Sequence, residues 1–522
     1  MAKLDVKQLV GIVETQFSAQ MPARSLWQTI ADHFYPERAD FTKNRAIGDE
    51  LGDGLLDSYP IIARRDLGNS LQSMLRDGHW FDITAQSDVS SDSREWLEFA
   101  TRTLYELMNA RESGFIRAMR EADHDYVTFG QSVVSIEVNR LRNGLLYRCW
   151  HLRDCAWWED ETGEVSGVVR KLSPTYHDMM MAFGDKCHQR IKDDHSKTPF
   201  ATVEMRHIVM PSGMYGDDEI SGVYKWVSIY LDSANQHIVE CLGLHHQHYV
   251  VSRFFTLSGQ PYAVSPATIA GLPNARLLQS MTYTLMEAAE RLTRPPIIAQ
   301  HNVIRGDVDL SANGVTFIDS EYDERGGEAL RPLMQSGGGM PFGLEMKADV
   351  MRLITSAFYL DKLSMPDTSG DKTAYEVQEL MKQYRREALP LISPIEVERS
   401  AKTCDVSFDI AMTAGFMGTK DLIPEEIQVQ DVTFRFKSPL TESEGEDKLR
   451  KFDVIIGMAE RAAALDKQVL DVVDFDETFR GACEGGKIPV KWTNNEKTTM
   501  KMRQAQAAAL QAGGAPGVEI NE

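Results

Sequence analysis

The sequence predicts an α+β protein, and three patterns support this prediction. Apolar residues recur every three or four positions along two long segments in the second half of the chain, which is the spacing of one helix face. A turn-rich insertion separates these two segments. Hydrophobic and polar residues alternate over much of residues 131–260, which is the period of half-buried strands. Helical and strand patterns therefore occupy separate stretches of the chain.

The first part of the chain, up to about residue 130, has mainly helical periodicity. Pro36 closes the second predicted helix, because a proline ring does not fit inside a helix. We expect Trp80 and Phe81 to be core or subunit-interface residues. The predicted helices are Leu4–Phe17, Ala23–Phe34, Leu55–Leu75, Glu95–Met108 and Gly114–Val127.

The alternating block begins at Gln131, and Asn143-Gly144 is a signal for a tight hairpin turn. A short helix is predicted over Ser173–Phe183. After the first strand, the predicted strands are Leu145–Trp150, Cys155–Trp158, Val165–Leu172, Phe200–Met210, Lys225–Leu231, His237–Leu242 and Tyr249–Phe255.

The two long helical patterns cover Asn274–Thr293 and Phe342–Leu363. Pro295-Pro296 ends the first of them. Thr373 and Glu376 form a T-x-x-E capping box, which marks the start of a third helix. The predicted apolar stripes are Leu277, Leu278, Met281, Leu285, Ala288 and Leu292 on the first helix and Met346, Val350, Leu353, Ile354, Ala357 and Phe358 on the second.

The last part of the chain is predicted to be helical, with one strand at Val432–Phe436. The tail Gly513–Glu522 is rich in small residues, and we expect it to be disordered. The predicted helices are Ile395–Gly415, Phe452–Leu465, Lys467–Val472 and Asn495–Ala512.

Composition bounds the class of protein. A chain of 522 residues is long enough for two or three cores. Its formal net charge of −21 argues against a simple nucleic-acid binder, which carries a basic face, but not against a protein through which DNA slides. The six cysteines lack C-x-x-C spacing, as expected for reduced cytosolic thiols. We expect no membrane association, since no signal peptide and no bilayer-spanning apolar run is evident.

Enzymatic signatures are sparse. The sequence has no phosphate-binding loop of the G-x-x-x-x-G-K-[ST] type, and we expect no cofactor and no metal. Cys241 with its neighbouring histidines is a weak zinc pattern, because strand alternation separates His245 from His246 and His248. The stretch Asp307–Gly314 resembles a calcium loop, but lacks its invariant glycine and its glutamate. Two functions remain as alternatives for this chain. One is a metal-dependent hydrolase, and the other is a tail or adaptor ring component.

Several short motifs, taken in order, resemble the portal (head-to-tail connector) proteins of short-tailed bacteriophages. At the third helix the family pattern is roughly M-T-A-x-E-V, and Lys372–Val377 keeps all of it except the methionine. The other segments that carry the resemblance are Arg24–Trp27 with Pro36, Leu56-Asp57-Ser58 with His79-Trp80-Phe81, Pro261–Pro266 and Ser438-Pro439-Leu440.

The resemblance implies a portal-protein fold, assembled as a ring from a wing, a stem, a clip and a crown. Residues 1–273 would form the N-terminal helical region and the wing, with its β block at about 131–260. The first stem helix would cover 274–294, the clip 295–341, the second stem helix 342–363 and the tunnel loop 364–372. The wing helix and return strand would follow at 373–440, the crown at 441–512 and a disordered tail at 513–522.

The resemblance also implies site residues. Those expected to face DNA in the tunnel loop are Lys362, Asp367, Asp371 and Lys372. Those expected to dock partners from the clip are Arg305, Asp307, Asp309, Glu321, Asp323, Glu324 and Arg325. In a ring each residue becomes a charged girdle, and an acidic wall with one basic girdle would keep DNA centred and mobile.

The partners implied are further copies of the chain, twelve by the family rule, and double-stranded DNA passing through the ring. The terminase large subunit, a tail adaptor protein, and the major capsid and scaffolding proteins would also bind it. The protein would be assembled in the host cytoplasm and placed at one capsid vertex of the virion. It would conduct DNA in packaging and ejection and would not be an enzyme.

Overall fold

The structure is a computed structural model. The part of the chain that it describes is residues 3–46, 48–76, 78–85, 91–294, 297–299, 304, 308, 330–332, 340–363, 374–418, 423–424, 427, 432–436, 442–463, 472–485 and 499–505.

The helices match most of the predicted helical segments. Their bounds are α1 Val6–Phe34, α2 Tyr59–Leu75, α3 Ser91–Asn109, α4 Phe115–Phe129, α5 Tyr176–Phe183, α6 Gln189–His195, α7 Ser212–Tyr215, α8 Asp218–Ser221, α9 Leu272–Thr293, α10 Met340–Ala357, α11 Leu360–Leu363, α12 Ala374–Ile395, α13 Lys402–Thr413, α14 Glu442–Ala463 and α15 Phe475–Gly485. Residues 499–505 are also helical.

The strands lie mainly between residues 131 and 264. Their bounds are β1 Phe81–Ala85, β2 Gln131–Val138, β3 Leu145–Trp150, β4 Cys155–Glu159, β5 Val165–Leu172, β6 Met205–Pro211, β7 Trp226–Asp232, β8 His237–Leu244, β9 Tyr249–Arg253, β10 Phe255–Leu257, β11 Gln260–Val264, β12 Ile297–Ala299, β13 Leu330–Pro332 and β14 Val432–Phe436. The mixed α+β class predicted from the sequence is confirmed.

The chain divides into two compact units. The larger unit comprises Met1–Arg24, Gly68–Ser265 and Met365–Glu522, and the smaller unit comprises Ser25–Leu67 and Pro266–Ser364. Helices α1 and α2 each contribute residues to both units.

Antiparallel sheets build the larger unit. One has five strands in the order β4-β5-β6-β7-β8, and another has three in the order β3-β2-β9. Leu9, Val13 and Phe17 of α1 are buried in the apolar cluster of the five-stranded sheet. The alternation read from the sequence fits this arrangement, because every second residue of a strand points to the same face.

A second core of the larger unit forms where distant parts of the chain meet. Strand β1 pairs with β14 in antiparallel fashion, with Phe81 opposite Phe436. Most of the chain lies between the two strands in sequence. Trp80 and Phe81 are buried in this core, as predicted, and the Trp80 ring stacks 6.0 Å from the ring of Phe436. The pairing of β1 had no local signal, because the partner strand lies so far away in sequence.

Two predicted boundaries at the N-terminal end are wrong. The structure has one helix, α1, where two were predicted, and Pro22 lies inside it. Burial on either side of the proline stabilises the continuous helix against the ~3 kcal/mol that an interior proline costs. Helix α2 begins at Tyr59 rather than at residue 55, because the N–H of Tyr59 donates to Asp57 Oδ1 at 2.9 Å and caps the helix there.

Two further boundaries differ from prediction. The strand expected from Phe200 begins at Met205, because residues before it form a turn in which Ala201 N–H donates to the carbonyl of Thr198. The second long helix ends at Ala357 instead of Leu363, because Tyr359 has a left-handed φ of 55°. That conformation breaks the helix and separates α10 from the short α11.

Candidate functional site

The candidate site is the pair of long helices in the smaller unit, α9 and α10. Each helix buries only a narrow stripe. On α10 this stripe is Val350 and Ile354, continued beyond the helix by Phe358. A side-chain Cβ at Gly343 would lie 2.7 Å from Leu285 Cδ2, so the glycine permits the close approach of the two helices. The buried residues of α9 are Leu272, Ala275, Leu278 and Thr282.

The segment before α2 is hydrogen-bonded to this helix pair through one amide. Gln279 Oε1 accepts from the N–H groups of Leu56 and Asp57 at 2.8 and 3.0 Å. Gln279 Nε2 donates to the carbonyl oxygen of Asp57 at 2.7 Å. Three hydrogen bonds from one side chain satisfy backbone groups that no helix or strand satisfies.

A salt bridge connects α10 to Asp57, which lies in the segment before α2. Lys347 Nζ lies 2.8 Å from Asp57 Oδ2, with 22% and 11% of the two side chains exposed. The Tyr59 hydroxyl lies 2.5 Å from Thr355 Oγ1. Asp57 thus caps α2 and pairs with α10, so one carboxylate holds the two helices in register.

Aromatic packing closes one end of the smaller unit. The Phe358 and Phe34 ring centroids lie 5.4 Å apart, and both side chains are fully buried. Gly271 lies against both rings, and a Cβ there would be 3.1 Å from Phe34 and 3.3 Å from Phe358. The absence of a side chain at residue 271 therefore allows this aromatic pair to pack at the start of α9.

The predicted apolar stripes are only partly buried. Leu277 and Leu292 of α9 are 48% and 44% exposed, and Met346 and Leu353 of α10 are 44% and 54% exposed. The predicted stripe is off-centre because the buried face of α9 includes Ala275, which is small, and Thr282, which is polar. Hydrophobicity alone does not identify these two residues as buried. The other exposed apolar side chains on the two helices are Tyr283, Met286, Phe342 and Leu344.

Charges on these helices balance. Helix α9 carries Arg276 and Arg291 against Glu287 and Glu290, and α10 likewise carries two cations and two anions. Some of them pair within one helix, since Arg352 Nη1 lies 2.9 Å from Asp349 Oδ1. The helix pair is therefore neutral.

Of the predicted tunnel-loop residues, the structure describes Lys362. It lies in α11 on the exposed surface, and its Nζ is 5.7 Å from the ring centroid of Tyr359. Asp367, Asp371 and Lys372 lie outside the described residues, as does Thr373 of the predicted cap. The same is true of the predicted clip residues, namely Arg305, Asp307, Asp309, Glu321, Asp323, Glu324 and Arg325.

Buried ion pairs hold the helix that follows this loop within the larger unit. Helix α12 continues through a π-helical turn, Glu396–Ala401, into α13. In that turn Arg399, 1% exposed, pairs with the fully buried Asp123, which also pairs with Arg76. The neighbouring Glu398 pairs with Arg253 at 2.9 Å. The sequence did not reveal these pairs, because the partners come from distant segments.

The weak zinc pattern of the sequence does not form a metal site in the described residues. They contain no group of three His, Cys, Asp or Glu side chains placed to hold a metal ion. His246 of the weak zinc pattern instead lies 2.7 Å from Asp409 Oδ2. In the described part of the chain, no helix is both long and apolar enough to cross a membrane.

Comparison with known proteins gives a match over nearly the whole chain. The family model for the bacteriophage head to tail connecting protein matches residues 8–489. The portal protein of Salmonella phage epsilon15 is 19% identical over 533 residues, covering 98% of this chain and 94% of that protein.

Two solved structures with some similarity are necks of GTA particles. The neck of an empty GTA particle computed with C6 symmetry has a TM-score of 0.37 at 10% identity, covering 76% of this chain and 86% of that one. The neck of the native GTA particle computed with C12 symmetry has a TM-score of 0.34 at 12% identity, covering 77% and 86%.

Proposed function

We propose that this chain, which belongs to the family of bacteriophage head-to-tail connecting proteins, is a portal subunit that forms a dodecameric ring around a channel for double-stranded DNA. The ring sits at one capsid vertex of the virion, docks the packaging terminase and later the tail adaptor, and conducts DNA in both directions. The role is structural and involves no catalysis. The family match over residues 8–489 carries this proposal.

The smaller unit supports ring assembly. Its two long helices expose large apolar side chains beside their buried stripes, for example Leu277 and Leu353 at 48% and 54%. Exposed apolar side chains on neighbouring helices are one mark of an interaction site. In a closed cyclic ring each subunit meets two neighbours through the same pair of surfaces, so the exposed side of one helix pair is covered by the next copy.

Neutral helices suit a channel through which DNA moves. B-DNA carries one phosphate charge per ~1.7 Å of axis, and the 22 residues of α9 span about 33 Å at 1.5 Å per residue. A wall of that length faces about 19 phosphates. Basic rings along it would bind DNA tightly, with a steep dependence on salt. Because the positive and negative charges of the helix pair balance, the pair does not bind DNA tightly in this way.

The tunnel loop supplies the one weak contact. In this proposal Lys372 or Lys362 forms a narrow basic girdle, and Asp367 and Asp371 form an acidic one beside it. Deleting Asp367–Gly370 should leave ring assembly intact, because it removes no apolar stripe, and should reduce packaged genome length or retention. Packaged genomes of wild-type length and yield would show that the loop is only a connector.

The clip is the proposed docking surface for terminase and adaptor. Its charged residues, from Arg305 to Arg325, suit binding in which one partner is later replaced by another. Charges at the rim of an interface mainly set the association rate and the specificity. A clip deletion over Ile297–Arg331 should still give rings that fail to bind the packaging ATPase. Normal motor binding by the deleted ring would place the docking surface elsewhere.

Size and shape of the purified protein test the ring directly. Twelve subunits of 58.8 kDa amount to about 0.7 MDa, whereas a hydrolase is usually a small oligomer. We expect negative-stain images to show closed rings with a central hole wide enough for duplex DNA. A monodisperse monomer at micromolar concentration in near-physiological salt would contradict the proposal.

A further inference from the structure

The hairpin between β2 and β3 differs from the tight turn that Asn143-Gly144 predicted. The connection covers residues 139–144, and its left-handed residue is Arg142, with a φ of 54°. Neither Asn143 nor Gly144 has a left-handed φ, which a two-residue turn of the Asn-Gly type requires at both positions. The shape of the turn therefore does not account for an Asn-Gly pair at these two positions.

Packing does not require a glycine at residue 144 either. A Cβ placed on Gly144 would lie 3.6 Å from Asn139 Nδ2, which is ordinary van der Waals contact. An alanine would fit there without strain, because neither the backbone conformation nor the space excludes a side chain. What the glycine supplies is a backbone nitrogen with no side chain beside it.

The amide of Asn139 holds the side chain of Asn143. The Asn143 backbone N–H donates to Asn139 Oδ1 at 3.0 Å, and Asn139 Nδ2 donates in return to Asn143 Oδ1. The backbone N–H of Asn139 donates to the carbonyl of Gly144 at 2.9 Å and closes the loop. The side-chain carbonyl of Asn143 is thus polarised by a donor, on a residue that is exposed to water.

These groups meet the needs of an intramolecular reaction of asparagine. The backbone nitrogen of Gly144 forms a bond to Asn143 Cγ and gives up its proton, the Cγ–Nδ2 bond breaks, and Nδ2 leaves as ammonia with that proton. Water then opens the resulting succinimide at either carbonyl, which gives aspartate or isoaspartate. Negative charge develops on Asn143 Oδ1 in the first step, so the Asn139 Nδ2–H donor lies where it stabilises that charge.

We propose that Asn143 is a site of spontaneous deamidation and that Asn139 accelerates the reaction. Water is the one other reactant, and the proposal does not depend on the portal function. Deamidation adds a negative charge to the exposed tip of the hairpin, next to Arg142, and isoaspartate also lengthens the backbone by a methylene group. The converted fraction therefore increases with the age of the protein.

Incubation of the full-length protein in mildly alkaline buffer tests the site. Peptide mass spectrometry over a time course should show deamidation at Asn143 that is faster at higher pH, because the nitrogen attacks once its proton is removed. Both aspartate and isoaspartate should form, whereas direct hydrolysis gives aspartate alone. Asn139, which is followed by Arg140, is the internal comparison and should not convert over the same period. An unmodified Asn143, or aspartate as the sole product, would overturn the proposal.

Gly144→Ala tests the attacking nitrogen. The variant should convert about tenfold more slowly, since a methyl group beside the nitrogen hinders its approach to Cγ. Its melting temperature should equal that of wild type, because the added Cβ fits. Conversion at the wild-type rate would overturn the proposal, because the backbone nitrogen would then not be the nucleophile.

Asn139→Asp tests the donor, with a control of equal charge. The new carboxylate still accepts from the Asn143 N–H but cannot donate to Asn143 Oδ1. We expect conversion to be about fivefold slower, which is the effect of one net hydrogen bond. Leu141→Asp places the same charge in the same loop, at a side chain that is 75% exposed, and should convert at the wild-type rate. If Asn139→Asp converts as fast as Leu141→Asp, or faster than wild type, Asn139 does not accelerate the reaction and the proposal is wrong.

Discussion

The two units of this chain differ in how deeply their ion pairs are buried. The larger unit buries charge, and Asp123, Arg399 and Arg253 are all less than one-twentieth exposed. In the smaller unit, ion pairs such as Glu287–Arg291 lie at the surface, and the long helices expose large apolar side chains such as Leu277 and Leu353. Exposed apolar side chains along a pair of helices are the feature by which we expect the smaller unit to contact a neighbour.

The difference has consequences for the kind of damage that each unit tolerates. Breaking a buried ion pair leaves an uncompensated charge in a medium of low dielectric constant. Breaking an exposed pair leaves a charge that water solvates, at little cost. The larger unit should therefore respond to charge substitutions with loss of folding, and the smaller unit should respond to apolar substitutions with loss of assembly.

The largest expected effect is at Asp123. Asp123→Asn removes the charge shared by Arg76 and Arg399 and leaves both guanidinium groups buried without a counter-charge. We expect a loss of about 3–5 kcal/mol in the free energy of unfolding, measured by urea denaturation. Glu287→Gln is the control, because its pair with Arg291 is 44% and 58% exposed, and it should change stability by less than about 1 kcal/mol. Equal effects at the two sites would erase the contrast between the units.

An intermediate effect is expected in the smaller unit. Gln279→Ala removes three hydrogen bonds to Leu56 and Asp57 and should destabilise the protein by about 2 kcal/mol. The neighbouring Ser280→Ala exchanges an exposed residue of the same helix and should be close to neutral. Thermal melting of both variants tests the difference, and a neutral Gln279→Ala would show that the loop is held by other contacts.

A smaller effect, visible as pH dependence, comes from His207 in the larger unit. Its ring nitrogens lie 2.5 Å from the Tyr249 hydroxyl and 2.8 Å from Ser228 Oγ. Burial lowers the pKa of His207 well below its ordinary value, and Arg170 and His248 lower it further. Below about pH 6.5 the unfolded chain therefore binds a proton that the folded chain does not. The free energy of unfolding therefore decreases as the pH is lowered.

Melting temperatures between pH 7 and pH 5 test this sign. The contribution of His207 is at most about 1.4 kcal/mol per pH unit, and His207→Gln should flatten the acid limb by that amount. His245→Gln, at an exposed position, is the control for the substitution itself. A steeper acid limb in His207→Gln would mean that the histidine is charged when folded.

Local patterns predicted most of the elements. The strands Leu145–Trp150, Val165–Leu172 and Val432–Phe436 have the bounds that alternation indicated, because strand alternation and turn residues are encoded within a few positions. The first long helix begins at Leu272, two residues before the predicted start at Asn274.

Long-range features were not predictable in the same way. The pairing of β1 with β14 and the Asp57–Lys347 bridge join residues that are hundreds of positions apart. Asp57 did have a signal, since it lies in a segment that resembles the connector family, but its partners Gln279 and Lys347 had none. The break at Tyr359 was also missed, because no glycine or proline announces it.

The central claim is that neighbouring copies cover the exposed apolar flanks of α9 and α10. Sedimentation of Leu277→Asp/Leu353→Asp tests it most directly, with Ser280→Asp/Thr284→Asp on α9 as a control of equal charge. We predict that wild type and control sediment as rings, and that the leucine variant sediments as a folded, smaller species with wild-type melting temperature. A leucine variant that sediments as an intact ring would contradict the account.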